Sequence, residues 1–166
     1  MFWRNLLGTS AKTAAAAVAG SVATSSGVNS DWYESLEKPD FQPPPAAFPI
    51  AWTLLYTDIA VTSAKVLTEL QEQGRFGSAE ADRAARNYRR ALTGNLVLNA
   101  GWCWAFFVKR DLPLATVTAA ALTASSADLA RRAGKAGRGK ALALTPYVAW
   151  CGFATALSTR IDQLNP

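Results

Sequence analysis

Histidine is absent from all 166 residues. Its absence removes imidazole acid/base chemistry, Ser/His/Asp triads and the usual route to zinc or haem ligation. Charge is scarce as well: 17% of the chain is Asp, Glu, Lys or Arg and half is hydrophobic, where soluble domains carry roughly a quarter charged residues. Only two cysteines occur, Cys103 and Cys151. Each lies inside an apolar run and reads as a buried free thiol.

The sparse charges leave five stretches with none, 13–30, 41–57, 91–108, 112–127 and 141–159. Each is close to the roughly 20 residues that cross a bilayer as helix. The predicted fold class is therefore an all-α integral membrane protein. It is a single domain built as a bundle of five transmembrane helices, at about 8–27, 46–67, 88–108, 112–130 and 141–161. The mean hydropathy is only +0.06, which keeps an Ala-rich soluble bundle as the competing reading. Ala, Ser, Thr and Gly fill the first and fourth runs. Those two helices read as closely packed rather than lipid-facing, since small residues let backbones approach. Residues 1–30 lack any acid, but Arg4 and Lys12 make a thin presequence and no clear cleavage site follows. The segment is kept as a helix.

Five crossings put the termini on opposite sides. The N-terminal side then holds Arg4, Lys12, Lys65, Arg75, Arg83, Arg86, Arg89, Arg90, Arg131, Arg132, Lys135, Arg138 and Lys140, which is 13 of the 17 basic residues. The positive-inside rule makes the N-terminus cytoplasmic and the C-terminus external, in a bacterial cytoplasmic membrane. The surplus of positive charge thus has a topological explanation, and no nucleic acid is expected as partner. Anionic lipid headgroups are the expected partners of the basic loops, above all of the run Arg131–Lys140.

The acidic 29–45 loop faces outward. Pro39, Pro43, Pro44 and Pro45 forbid regular helix there. The loop reads as a stiff element presenting Trp32, Tyr33 and Phe41, either as an interfacial aromatic belt or as a lid.

Trp32, Tyr33, Leu36, Lys38, Pro39, Phe41, Pro43, Pro44, Phe48, Trp52, Leu55 and Tyr56 follow one another at a spacing that closely resembles the signature of the translocator protein, or tryptophan-rich sensory protein, family. Gly94, Leu96, Leu98, Asn99, Trp102, Phe106 and Phe107 agree in the third span, as do Pro146, Tyr147, Trp150, Phe153, Ala154 and Leu157 in the fifth. The resemblance implies a five-helix membrane bundle, often a homodimer, with a ligand pocket among the helices under the first loop. It also implies association with porphyrins and other tetrapyrroles as ligands, with sterols in some lineages, and with stress responses. No cofactor is required. By the same resemblance Trp52 and Trp150 match tryptophans linked to porphyrin handling. Tyr56, Asn99, Trp102 and Tyr147 match pocket positions, and Trp32, Pro43 and Pro44 match the capping loop.

Helical periodicity adds its own reading. Trp52, Tyr56, Ile59 and Ser63 share one stripe, Asn95, Asn99, Trp102 and Phe106 a second, and Tyr147, Trp150, Cys151, Ala154 and Ser158 a third. Such stripes pack as bundle core or wall a pocket for a flat conjugated ligand. The candidate ligand-binding set is Trp32, Pro43, Pro44, Phe48, Trp52, Tyr56, Asn95, Asn99, Trp102, Phe106, Tyr147, Trp150, Ala154 and Ser158.

The leading expectation is a non-catalytic tetrapyrrole receptor, sensor or carrier. The alternatives are a light- and oxygen-dependent porphyrin-degrading enzyme using Trp52 and Trp150, implied by the resemblance, and a small transporter. Leu157, Ser158, Thr159 and Arg160 lack the tyrosine of the sterol-recognition pattern, which argues against sterol binding through it. Asp58 is a mid-span carboxylate on a face with Thr62 and Lys65, off the aromatic stripe, and is expected to contact another helix. Asp128 has the spacing for helical ion pairs with Arg131 and Arg132.

Overall fold

The computed structural model describes residues 1–166, of which 85% are helical, with no strand. In chain order the elements are α1 (Phe2–Gly27), the short α2 (Asp31–Ser35), α3 (Ala47–Arg75) and α4 (Ala79–Cys103), which runs on into a π turn (Trp104–Val108). Then come α5 (Leu112–Ala133), a 3-10 turn (Gly134–Ala136), the short α6 (Arg138–Ala143) and α7 (Thr145–Leu164). The segments Ala47–Arg75, Ala79–Val108 and Arg138–Leu164 are long and apolar enough to cross a membrane. The α1 and α5 helices have the length but are not among these three.

Several helices outrun their charge-free stretches. The first begins at Phe2 rather than near residue 8, the second continues to Arg75 rather than 67, and the third starts at Ala79 rather than 88. The expected 68–87 connection shrinks to Phe76–Ser78. Charge-free length measures apolar thickness, whereas Glu, Gln, Arg and Ala continue a helix readily beyond it. The turn is made by Gly77 at φ +94, a left-handed conformation that glycine adopts without strain. Ser78 then caps α4 by accepting from the Ala81 amide at 3.2 Å. The last helix is broken instead of continuous from 141, and Pro146 sits in the first turn of α7, where its missing N–H costs nothing.

The most extensive pairings are α5 with α7 and α1 with α3. Near its start α1 is tied down by hydrogen bonds. Thr9 Oγ1 donates to the Ala60 carbonyl at 2.8 Å, and Asn5 Nδ2 donates to Thr68 Oγ1 and Gln71 Oε1 at 3.0 and 2.9 Å. At the other end the indole of Trp104 donates to the Ala19 carbonyl at 3.0 Å, and Gly27 seats against Phe107. Two apolar clusters fill the interior. One surrounds Ile59, Leu70, Tyr88, Leu92, Leu129 and Tyr147; the other, toward the 29–45 loop, holds Ala23, Trp102, Phe106, Ala119 and Leu157.

Cys103 and Cys151 are buried and free. Asp128 pairs with Arg131 and Arg132, each at 2.5 Å. The expectation for Asp58 needs correction: its Oδ1 accepts from Thr62 Oγ1 of the same helix at 2.9 Å, not from a neighbouring helix, and its Oδ2 is buried without a partner. A hydroxyl four residues on is simply the nearest donor. Asp58→Asn retains that acceptor and removes a half-buried charge. Its unfolding midpoint in detergent should match or exceed that of the parent chain; a marked loss would reveal a carboxylate-specific partner.

Candidate ligand-binding site

A cavity of about 570 Å³ lies at the loop end of the bundle, within the range of small-molecule pockets. One wall is α1, through Ala17, Gly20, Ser21, Thr24 and Ser25. The opposite walls are Phe48, Trp52 and Tyr56 of α3, Asn99, Trp102 and Cys103 of α4, Phe106 and Phe107 of the π turn, and Leu157, Ser158 and Ile161 of α7. Tyr33, Gln42 and Pro45 close it from the loop. The π turn matters locally: it brings both Phe106 and Phe107 onto the lining, where helical spacing alone turns consecutive residues about 100 degrees apart.

Seven of the residues singled out from sequence meet here: Phe48, Trp52, Tyr56, Asn99, Trp102, Phe106 and Ser158. The other seven do not line the cavity. Trp150 stands behind Trp52, edge-on at 6.4 Å, and against Phe48 at 6.0 Å. Ala154 is core. Trp32 packs on Phe106 at 5.8 Å with the Arg110 guanidinium 5.5 Å from its ring. Pro43 is half-buried and Pro44 exposed, and the loop's lining proline is Pro45.

Asn95 and Tyr147 lie deeper, in a buried hydrogen-bonded chain that begins at the cavity wall. Tyr56 Oη donates to Asn99 Oδ1 at 2.7 Å, Asn99 Nδ2 to Tyr147 Oη at 3.2 Å, and Tyr147 Oη to Asn95 Oδ1 at 2.8 Å. Asn95 Nδ2 then donates to Ser126 Oγ at 3.0 Å and Ser125 Oγ at 3.3 Å. Four helices are thereby joined through side chains alone. Asn95→Leu leaves Tyr147 Oη without its acceptor and Ser126 without its donor. A loss of about 1 kcal/mol is expected, the scale of interhelical bonds in membranes; unfolding in detergent measures it. Trp102 Nε1 also finds a partner, Ser158 Oγ at 3.1 Å.

The loop is fastened rather than draped. Glu37 N donates to Asn165 Oδ1 and Asn165 Nδ2 donates to the Glu37 carbonyl, both at 2.9 Å. Lys38 Nζ donates to the Tyr33 carbonyl at 2.6 Å and lies 4.5 Å from the centre of its ring. Burial pushes the Tyr33 phenol above its ordinary value of 10.0, with a hydrogen bond from Gln42 opposing. The neutral phenol is therefore favoured when the loop is seated. That contribution is complete below about pH 10 and disappears as pH rises through the raised value. The difference in tyrosinate absorbance between the parent chain and Tyr33→Phe should show a phenol that titrates above 10.0.

Sequence reasoning missed the whole α1 wall, together with Gln42, Cys103 and Ile161, and left Tyr33 and Phe107, which it read as loop and third-span motif residues, out of the candidate set. Ala17, Gly20, Ser21 and Thr24 recur at helical spacing, a stripe of small side chains that makes room instead of contact.

Apolar helices of membrane-crossing length enclosing an aromatic cavity define an integral membrane protein. Residues 10–164 match the model of the TspO/MBR family, and the chain belongs to that family. It is 31% identical over 136 residues to the tryptophan-rich protein TspO of Chlorobaculum tepidum, covering 81% of this chain and 80% of that one. Identity to the translocator protein of Bos taurus is 33% over 134 residues, 81% and 75% of the two chains. With the uncharacterized membrane protein YtaB of Bacillus subtilis it is 30% over 138 residues, 83% of each.

Proposed function

We propose that this protein binds a porphyrin or related tetrapyrrole within the membrane as a receptor, sensor or carrier, with the 29–45 loop as its cap. The observation that carries this reading is the cavity wall. Trp52, Tyr56, Trp102 and Phe106 offer ring faces and edges while Asn99 and Ser158 offer polar groups, the combination that suits a flat conjugated molecule with a polar rim. The proposal includes five crossings, with α1 and α5 held by close packing of small residues. It also includes a cytoplasmic N-terminus, supported by the 13 basic residues assigned to one side.

The test is a titration of the detergent-purified protein with protoporphyrin IX, in darkness and then in light, following tryptophan quenching and porphyrin absorbance. Saturable quenching with unchanged absorbance is the expected result. Absence of saturation would remove porphyrin as the ligand. A second reading, photo-oxidative breakdown of the porphyrin, is favoured by one contact: Trp52 on the wall touches the oxidisable indole of Trp150. It requires light-dependent loss of porphyrin absorbance that a Trp52→Phe/Trp150→Phe variant no longer gives.

A further inference from the structure

Between α4 and α5, away from the aromatic cavity, runs an open groove of about 650 Å³. We propose that it is a seat for one anionic glycerophospholipid, its phosphodiester held by Arg90 and Arg132 and an acyl chain lying over Gly94 and Leu98. The inference rests on α4 and α5 both crossing the membrane, as proposed above.

The level of the groove is set by sequence. Arg90 is the last charge on α4 before the charge-free run 91–108, and Asp128 is the first on α5 after the run 112–127. The groove lining reaches from these charges down to Gly94 and Leu98. It therefore straddles the boundary between polar and apolar segments on two adjacent helices, which is where phospholipid phosphates lie.

Its charges are free to bind. Arg90 makes no hydrogen bond or ion pair within the chain, and Arg132 gives only its Nε to Asp128 Oδ2. The lining thus holds two arginines and one carboxylate, and that carboxylate is also engaged by Arg131 from outside the groove, so the groove keeps a surplus of positive charge. Asn87 and Ser125 add neutral polar groups. A Cβ placed at Gly94 would meet nothing within 4 Å, so the floor below the arginines is open where a chain would lie. A free phosphate would satisfy only the upper part. A phospholipid uses both.

The protein in phosphatidylcholine nanodiscs, supplemented with phosphatidylglycerol and read by native mass spectrometry, tests this directly. One phosphatidylglycerol should be retained per chain. Arg90→Gln/Arg132→Gln should weaken retention at least ten-fold, and Arg90→Gln alone should weaken it measurably without affecting folding, since Arg90 has no partner to lose. Arg75→Gln/Arg138→Gln, basic residues outside the groove, should leave retention unchanged, and inorganic phosphate should not compete.

Equal loss in both double variants, no loss in either, displacement by phosphate, or a Gly94→Cys disulfide dimer that excludes the lipid would each overturn the assignment. The last would give the groove to a second copy. Val97→Cys separates this failure from failure of the membrane placement. Val97 is 66% exposed in the isolated chain; labelling by a membrane-impermeant maleimide in sealed vesicles would defeat the placement itself, whereas protection without lipid retention defeats only the groove.

Discussion

Gly27→Leu is expected to lift the loop end of α1 off the bundle, at a cost of about 3 kcal/mol, the upper part of the range for overpacking. A Cβ at position 27 would stand 2.8 Å from both the carbonyl oxygen and the Cβ of Phe107. Neither atom can swing aside as a long side chain would, because one is backbone and the other is fixed to it. Glycine serves here for close approach and not for conformational freedom. The displaced α1 would also shift the wall formed by Gly20 and Thr24, so porphyrin affinity should fall with stability. Thermal unfolding in detergent measures the first effect and tryptophan quenching the second. Gly8→Ala is the control: nothing lies within 4 Å of its Cβ position, and a helix-favouring residue there should be neutral or slightly stabilising. Equal behaviour of the two variants would refute the close-approach role.

Trp52→Leu should weaken protoporphyrin binding by about 2 kcal/mol, roughly thirty-fold in Kd, from lost area and lost ring contact. Trp52 lines the cavity and touches three other aromatics: it stacks on Tyr56 at 5.4 Å and meets Tyr147 and Trp150 edge-on at 6.5 and 6.4 Å. Trp150 acts only through such packing. Trp150→Leu should therefore change Kd by less than about three-fold while lowering stability, since a large half-buried ring is lost. The two tryptophans, equivalent in the sequence pattern, are thus separated by geometry. If Trp150→Leu proved the more damaging to binding, the ligand would have to lie outside this cavity.

The contrast shows what the sequence made legible. Charge-free runs located all five long helices, and the aromatic stripe on α3 correctly aimed Trp52 and Tyr56 inward, because period and polarity are local properties. They did not tell Asn99, on the wall, from Asn95, one turn deeper, since both lie on the same stripe and depth depends on where α7 crosses. Nor could they reveal α1 as a wall: Gly20 and Ser21 contribute by being small, and space has no residue type. The helix ends were misplaced for a similar reason, since a helix may outlast the apolar layer it crosses.

The buried chain from Tyr56 to Ser126 has one further property, its direction. Each hydroxyl or amide gives its hydrogen toward α5, and Ser126 passes on to the Leu122 carbonyl at 2.8 Å. Reversing any link requires turning over both asparagine amides together, so the polarity is collective. Tyr56 has already committed its proton to Asn99 and meets the cavity as a lone pair. An occupant presenting an N–H or O–H at that point is matched, whereas one presenting only acceptors leaves two lone pairs opposed, at about 1–3 kcal/mol. The buried chain, ending on α5, thus sets which sign of dipole Tyr56 presents at the cavity wall.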